Sequence, residues 1–212
     1  QYFALLYAER HAGPDVLRSV LARMRSTALT WGNQGPVTLG YRLGHVKGDS
    51  RVFRAVVYNK SALVLHMLRG LLGDAVFFDG LRRFYRTSRF TKVGTEEVRA
   101  AFEAASGRSL EGFFERWVHD FGVPRIRQTG RVEASTLVLS LEQLDGSDFE
   151  LPVTVSLRYE DGSIDRHVVP VGAGVSRHEV PLRGPLRGWQ VNEDRAALAR
   201  FLAKALNDVS AP

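Results

Sequence analysis

Around Gly122-Val123-Pro124 the spacing of apolar residues changes from a helical repeat to a repeat of two. One chain segment cannot satisfy both, because a helix stacks positions three and four apart while a strand places alternate residues on opposite faces. The sequence therefore divides into a helical region over residues 1–122, a strand-built region over 123–192, and a closing helix and tail over 193–212. The expected class is α+β, an all-helical half followed by a small antiparallel β-sandwich and a C-terminal helix.

The helical half is punctuated by recognisable ends. Tyr2 to Arg10 reads as a helix stopped at Gly13, and Pro14 stands where a first-turn proline is tolerated. Leu17, Val20, Leu21, Met24 and Ala28 form the next stripe. Gly32 to Ser50, with Pro36 and several glycines, reads as a loop. Arg54 to Leu72 is the most apolar helix, with Leu63, Met67 and Leu71 on one side and Leu65, Leu68 and Leu72 close by, a pattern that predicts burial on several sides. Asp74 and Thr95 are expected N-caps, Ser106-Gly107 an ending, and Ser109 the cap of a last helix in which Leu110, Phe113, Phe114 and Trp117 share a face. Beyond Pro124, Thr136 to Leu141 and Leu151 to Tyr159 alternate apolar with polar, predicting one buried face each. Asp161-Gly162 is expected to be a two-residue hairpin turn. Val168 to Val171, Val175 to Val180 and Leu186 to Val191 bring the count to six or seven strands, and Asp194 to Leu206 reads as a helix with Leu198, Phe201, Leu202 and Ala205 inward.

Composition narrows the chemistry. The chain contains no cysteine, which removes disulfides and thiolate metal ligands, and no apolar run long enough to cross a bilayer. A net charge of +6 from 29 basic and 23 acidic residues invites a nucleic-acid reading. The distribution argues against it: the arginines are scattered through both halves, and the densest group, Arg82, Arg83, Arg86, Arg89 and Lys92, fits the solvated face of a helix whose apolar stripe is Phe77, Phe78, Leu81, Phe84 and Tyr85. Neither a nucleic acid nor a membrane is expected as a partner.

No self-contained catalytic motif is present: neither G-x-S-x-G, nor a phosphate-binding glycine loop, nor H-E-x-x-H. His167 and His178, with Asp165 and Glu179, have strand spacing that gives no reason to converge on a metal, so no metal ligands and no cofactor-binding residues are assigned. His66 reads as a hydrogen-bonded core histidine, and His119-Asp120 as a helix-end contact.

The informative stretch is Val56-Val57-Tyr58-Asn59-Lys60-Ser61-Ala62-Leu63-Val64-Leu65-His66-Met67-Leu68-Arg69, continued by Leu72-Gly73-Asp74 and Phe77. It resembles the segment Y-x-K-G-x-x-V-L-x-M-L, then L-G-D-x-x-F, of the aminopeptidase N-like zinc peptidases. Phe84-Tyr85, Thr95 to Val98, Ser106-Gly107, Leu110, Phe113-Phe114, Trp117-Val118 and Gly122-Val123-Pro124 are similar to the closing helices of that family, and Tyr2 to Arg10 to the helix after its third zinc ligand. The likeness covers Gln1 to Pro124 closely and the sandwich by architecture only. Ser61 departs from it, since the family carries glycine there.

This resemblance implies that residues 1–122 are the helical half of a thermolysin-like catalytic domain and that Tyr58 is the catalytic residue, its hydroxyl donated to the oxyanion. It also implies a zinc cofactor whose ligands, in an H-E-x-x-H motif and a third glutamate, lie in polypeptide before Gln1. Its partners would be a peptide substrate and the upstream half of the same domain, and the chain alone would be inactive. Read without that motif, Tyr58 is more simply a phenol that caps a buried helix through its hydroxyl; with it, catalysis leads. Two alternatives of another kind stand beside the peptidase: a non-catalytic scaffold or binding module of the same fold, and a basic nucleic-acid binder.

Overall fold

The structure, a computed structural model, describes residues 1–202. It consists of two compact units, Gln1–Gly122 and Val123–Pro212. The α+β class is as expected: helices come first and strands follow.

The first unit opens with α1 (Tyr2–Ala12) and α2 (Pro14–Trp31). They are separated by Gly13, whose φ of 83° lies in the left-handed region that favours glycine. Pro14 occupies the first turn of α2, where its missing N–H is no loss. Leu21, Met24 and Ala28 are the positions α2 buries. The expected loop over Gly32–Ser50 is only partly irregular. Val37–Leu39 forms a 3₁₀ turn and Arg42–Lys47 a short helix, α3, closed by left-handed Gly48. Leu43, fully buried beside Val52 and Val56, supplies the packing that overrides the local glycine content.

The long apolar helix begins earlier than Arg54. The Asp49 carboxylate accepts the Arg51 N–H at 2.8 Å and caps α4 (Ser50–Phe53). The chain then runs through a π-helical stretch, Arg54–Lys60, directly into α5 (Ser61–Leu72). Ala62, Leu63, Val64, Met67 and Leu68 are buried, so α5 is enclosed on several sides. Asp74 and Thr95 are the first residues of α6 (Asp74–Thr87) and α7 (Thr95–Ser106) rather than their caps; Gly73 and Gly94 precede them, and the Glu97 carboxylate accepts the Gly94 N–H at 2.7 Å. Gly80 lets α6 approach α7 closely, because a Cβ there would run into the Phe102 ring. Phe77 and Phe102 stack across that contact at 5.2 Å. The last helix is also interrupted: α8 (Glu111–Phe114) passes into a second π turn, Glu115–His119. Phe113, Phe114 and Trp117 are buried, as their spacing requires.

The second unit holds two sheets. One has the order β5-β2-β1-β7, with β1 (Arg125–Glu133), β2 (Thr136–Gln143) and β5 (Val175–Pro181) antiparallel and β7 (Arg200–Phe201) parallel to β1. The other has the order β4-β3-β6, all antiparallel, from β3 (Leu151–Tyr159), β4 (Ile164–Val171) and β6 (Leu186–Val191). Leu137, Leu139 and Leu141 of β2 and Val153, Val155 and Leu157 of β3 make the core.

Three expectations need correction. Leu151–Tyr159, expected to bury one face, is buried on both, with only Arg158 exposed; β1, which no expectation covered, escapes a search for alternation because only Ile126 among its nine residues is buried. The turn after β3 holds three residues, Glu160 to Gly162, since the Tyr159 N–H donates to Ser163 at 3.0 Å; only Gly162 needs positive φ, at 82°. The third correction is the closing helix: residues 194–202 form turns and β7 instead. Asn192 (φ 52°) and Arg195 (φ 59°) are left-handed, a conformation no helix continues through. Asn192 fixes the turn by bonding Ala197 in both directions, Nδ2 to its carbonyl at 3.1 Å and Oδ1 from its N–H at 2.9 Å. Ala197, Leu198 and Ala199 are buried, and β3 is buried on both faces, with the Thr154 hydroxyl donating to Asp194 at 2.6 Å. The remainder of the expected helix and tail, 203–212, lies outside the described residues.

Candidate active site

Tyr58 sits in the first π turn, and that turn decides where it points. The Ser61 N–H donates to the Val56 carbonyl five residues back, not to Val57 four back, so one extra residue is accommodated at this level. The Val57 carbonyl, left without its α-helical donor, accepts the Ser61 hydroxyl instead. Ser61 has ordinary helical angles, φ −62° and ψ −37°, so the backbone does not need glycine here.

The inserted residue separates the faces of the turn. Ala55, Val56 and Lys60 point inward and are buried, whereas Tyr58 is 44% exposed. The Tyr58 ring meets Phe53 edge-on at 5.5 Å, and its hydroxyl has no hydrogen-bond partner among the described residues. The phenol is therefore not a cap for the helix that carries it. It is a neutral donor, held by its ring and open at its polar end.

Lys60, two residues on, is the opposite case. It is 0% exposed, and its Nζ makes neither a hydrogen bond nor an ion pair. Burial pulls its pKa from 10.5 down to about 8, against the opposing attraction of Asp120. Asp120 ends the second π turn, where its own N–H donates to Glu115, again five residues back, at 2.8 Å. The Phe121 N–H at 2.7 Å and the Arg116 guanidinium at 2.5 Å, in that order of effect after desolvation is set aside, hold the Asp120 carboxyl below the usual range.

A second network fixes the helices around this turn. Arg69 of α5 donates to Glu9 of α1 at 2.6 Å and to both Asp74 oxygens, at 2.7 and 2.8 Å, while lying over the Phe78 ring at 5.2 Å. The paired guanidinium lowers the Asp74 pKa. Tyr2, buried against Phe77, places its hydroxyl 3.4 Å from His66 Nδ1, and burial raises that phenol to about 12. Tyr58, by contrast, remains open to solvent, as do Tyr7, Tyr41 and Tyr85 elsewhere in this unit.

The other titratable groups named from the sequence do not assemble. His119 Nε2 lies 3.5 Å from Glu96 at the end of the second π turn. Asp165 is engaged by Arg183 at 2.9 Å, Glu179 is exposed, and the buried Nε2 atoms of His167 and His178 have no partner. Among the described residues no three His, Asp or Glu side chains stand together as a metal ion would require. In the arginine-rich group, Arg82 and Arg83 reach Asp79, and Arg89 lies over Tyr85 and Phe90.

Sequence reasoning singled out Tyr58, gave Lys60 no role of its own, and did not anticipate the π turns. The signal for Lys60 was present: it stands four residues after buried Val56 and three and four before buried Leu63 and Val64, on an apolar face where a lysine is out of place.

Comparison with known proteins meets this geometry. The aminopeptidase N of Lactococcus lactis subsp. lactis is 32% identical over 89 residues, 42% of this chain and 10% of that protein. The puromycin-sensitive aminopeptidase of Caenorhabditis elegans is 26% identical over 116 residues, 50% of this chain and 12% of that protein. The crystal structure of Legionella pneumophila aminopeptidase A in complex with aspartic acid shares the fold, with a TM-score of 0.64 over 74% of this chain and 19% of its own, at 16% identity. The chain thus spans about a tenth of the length of the curated relatives it matches. Residues 13–117, which include Tyr58, Lys60, the first π turn and the opening of the second, match the peptidase family M1 domain, and together with the aminopeptidase matches above they identify this stretch of the chain as a fragment of an aminopeptidase N-like member of that family.

Proposed function

We propose that this chain is the C-terminal part of a zinc-dependent, aminopeptidase-type catalytic domain, and that Tyr58 donates its hydroxyl to the oxyanion formed at a scissile carbonyl. On this reading residues 1–122 are the helical half of the catalytic domain and residues 123–192 a sandwich that follows it. The observation that carries it is the state of Tyr58: an open phenol, without an internal partner, on a turn whose geometry exposes it.

Chemistry supports the assignment. As the carbonyl carbon is attacked, negative charge develops on its oxygen, and a preorganised donor stabilises that charge more than it stabilises the neutral substrate. A phenol is well suited, being uncharged near neutral pH and therefore free of electrostatic demands on the ground state. On this reading the metal, which would supply the acidified water, is held by residues outside this chain. The peptide substrate and the upstream polypeptide are its partners.

The test is Tyr58→Phe in the full-length protein. Removing one oxyanion donor is expected to lower kcat on an aminoacyl reporter by about 10²- to 10³-fold, with metal content unchanged. Wild-type turnover in that variant would take Tyr58 out of the mechanism. A full-length protein without turnover and without a metal motif ahead of Gln1 would favour the scaffold.

A further inference from the structure

At the end of α6 and in the loop after it, the stretch from Gly80 to Gly94 contains Arg82, Arg83, Arg86, Arg89 and Lys92 and no acidic residue. Arg82 and Arg83 are drawn to Asp79, at 3.9 and 2.6 Å. Among the described residues Arg86, Arg89 and Lys92 form no ion pair. A helix C-terminus carries only about half a negative charge, so the dipole of α6 does not account for three unpaired cations.

Apolar side chains stand open among these charges. Phe90 is 97% exposed, and Tyr85 and Val93 are exposed with it. Phe90 also has a φ of 60°, in the left-handed region that a bulky side chain disfavours, and its ring gains in return the Arg89 guanidinium, 5.3 Å from its centroid. Folding of this unit alone gives no reason to hold a large ring in water on such a backbone. Phe84, Tyr85, Ser88, Arg89, Phe90 and Val93 together line a cleft of about 360 Å³.

The chemistry of the patch names its occupant. Tyr, Phe and Arg are the residues that anchor polypeptide interfaces, and the unpaired cations call for carboxylates opposite them. Single-stranded nucleic acid fits less well, because a base would have to displace the Arg89 guanidinium, which lies over the Tyr85 ring at 5.9 Å as well as over Phe90. The patch also falls within residues 13–117, the stretch that matches the M1 domain, in a chain that spans about a tenth of the relatives' length. On the reading proposed above, most of the polypeptide that would surround it lies outside this chain.

We propose that residues 82–93 are the docking surface for an acidic stretch of the protein's own polypeptide beyond these 212 residues, with an apolar side chain seated in the cleft and carboxylates on Arg86, Arg89 and Lys92. The inference rests on the reading of this chain as part of a longer protein, and not on the role of Tyr58.

The test is hydroxyl-radical labelling of the full-length protein, read residue by residue by mass spectrometry, with carbodiimide cross-linking, which joins an amine to a carboxylate in contact with it. The expected result is that Phe90 and Tyr85 are protected as well as buried Phe77 and Phe102 are, and that Lys92 cross-links to an aspartate or glutamate outside residues 1–212. In the variant carrying Arg86→Glu and Arg89→Glu that protection is lost. Labelling of wild-type Phe90 at the rate of the unfolded protein overturns the proposal without any variant. Protection that vanishes on dilution, or Lys92 cross-links that join two isotopically distinct copies, assigns the face to self-association and overturns it as well. A freely labelled Phe90 in a protein whose turnover depends on Tyr58 removes this inference and leaves the peptidase reading standing; a protected Phe90 beside full turnover in Tyr58→Phe does the reverse.

Discussion

Lys60 leaves a thermodynamic trace of its own. Its folded-state pKa of about 8 lies below the ordinary 10.5, so between those values the unfolded chain keeps a proton that the folded chain has shed. Unfolding there takes up protons, and stability rises with pH across that window. Below about pH 8 both states are protonated and the burial penalty is fully felt; above about 10.5 it has gone. The charged group that faces it, Asp120, is itself held ionised throughout this range. A depression of this size is worth on the order of 3 kcal/mol. Lys60→Met is accordingly expected to raise the stability of the chain near pH 7 by roughly 1–3 kcal/mol and to flatten the rise between pH 8 and 10.5, as urea melts across pH would show. A methionine that destabilises at pH 7 would mean the ammonium is favourably paired after all. Ser61 belongs at this scale as well. Where relatives of the resembled family carry glycine, this chain has a hydroxyl that takes up the Val57 carbonyl freed by the π turn, so the departure is a substitute rather than a defect.

Among the elements, the α6–α7 contact is the most sensitive to a small change. Gly80→Ala should gain up to about 1 kcal/mol of helix propensity, yet its methyl would meet the Phe102 ring, which is wholly buried and has nowhere to swing. Overpacking of this kind costs about 1–3 kcal/mol, so the net effect is expected to be destabilising, visible as a lower urea midpoint at unchanged slope. The elements legible in the sequence were those whose burial follows one period: α2, α5, and the Phe113, Phe114 and Trp117 face. Illegible were the features set by a single residue or by distant packing. A π turn is a one-residue insertion in an otherwise helical pattern, invisible to periodicity. β1 has one buried residue, and α3 forms in a glycine-rich stretch because Leu43 reaches a core built by Val52 and Val56. The closing helix was wrongly read because Leu198, Phe201 and Leu202 have helical spacing, while Asn192 and Arg195 turn the backbone left-handed just before them. For the site, the motif around Tyr58 pointed to the exposed phenol, but its outward direction is a property of the turn, not of the motif.

At the scale of the whole molecule, the proposed reading gives the chain one donor of a reaction that needs several groups. On the proposed reading the chain by itself is expected to take up no stoichiometric zinc from a metal buffer and to leave an aminoacyl reporter uncleaved, as dialysis with metal analysis and a simple rate assay would establish. Tight one-to-one zinc would require a ligand set that the described side chains do not form. The net charge of +6 is spread over paired arginines such as Arg69, Arg116 and Arg183, whose carboxylate partners lie within 3.0 Å. That arrangement spends basic residues on internal bridging more than on a continuous surface field. The last strand among the described residues of the second unit has two residues, Arg200 and Phe201, that pair in parallel with Arg125 and Ile126. Because the chain returns to lie along the first strand, its own C-terminal stretch zips the margin where that sheet would otherwise stop. A fragment ending before Arg200 would be left with backbone donors and acceptors pointing outward from Arg125 and Ile126, a template on which another molecule's strand could grow.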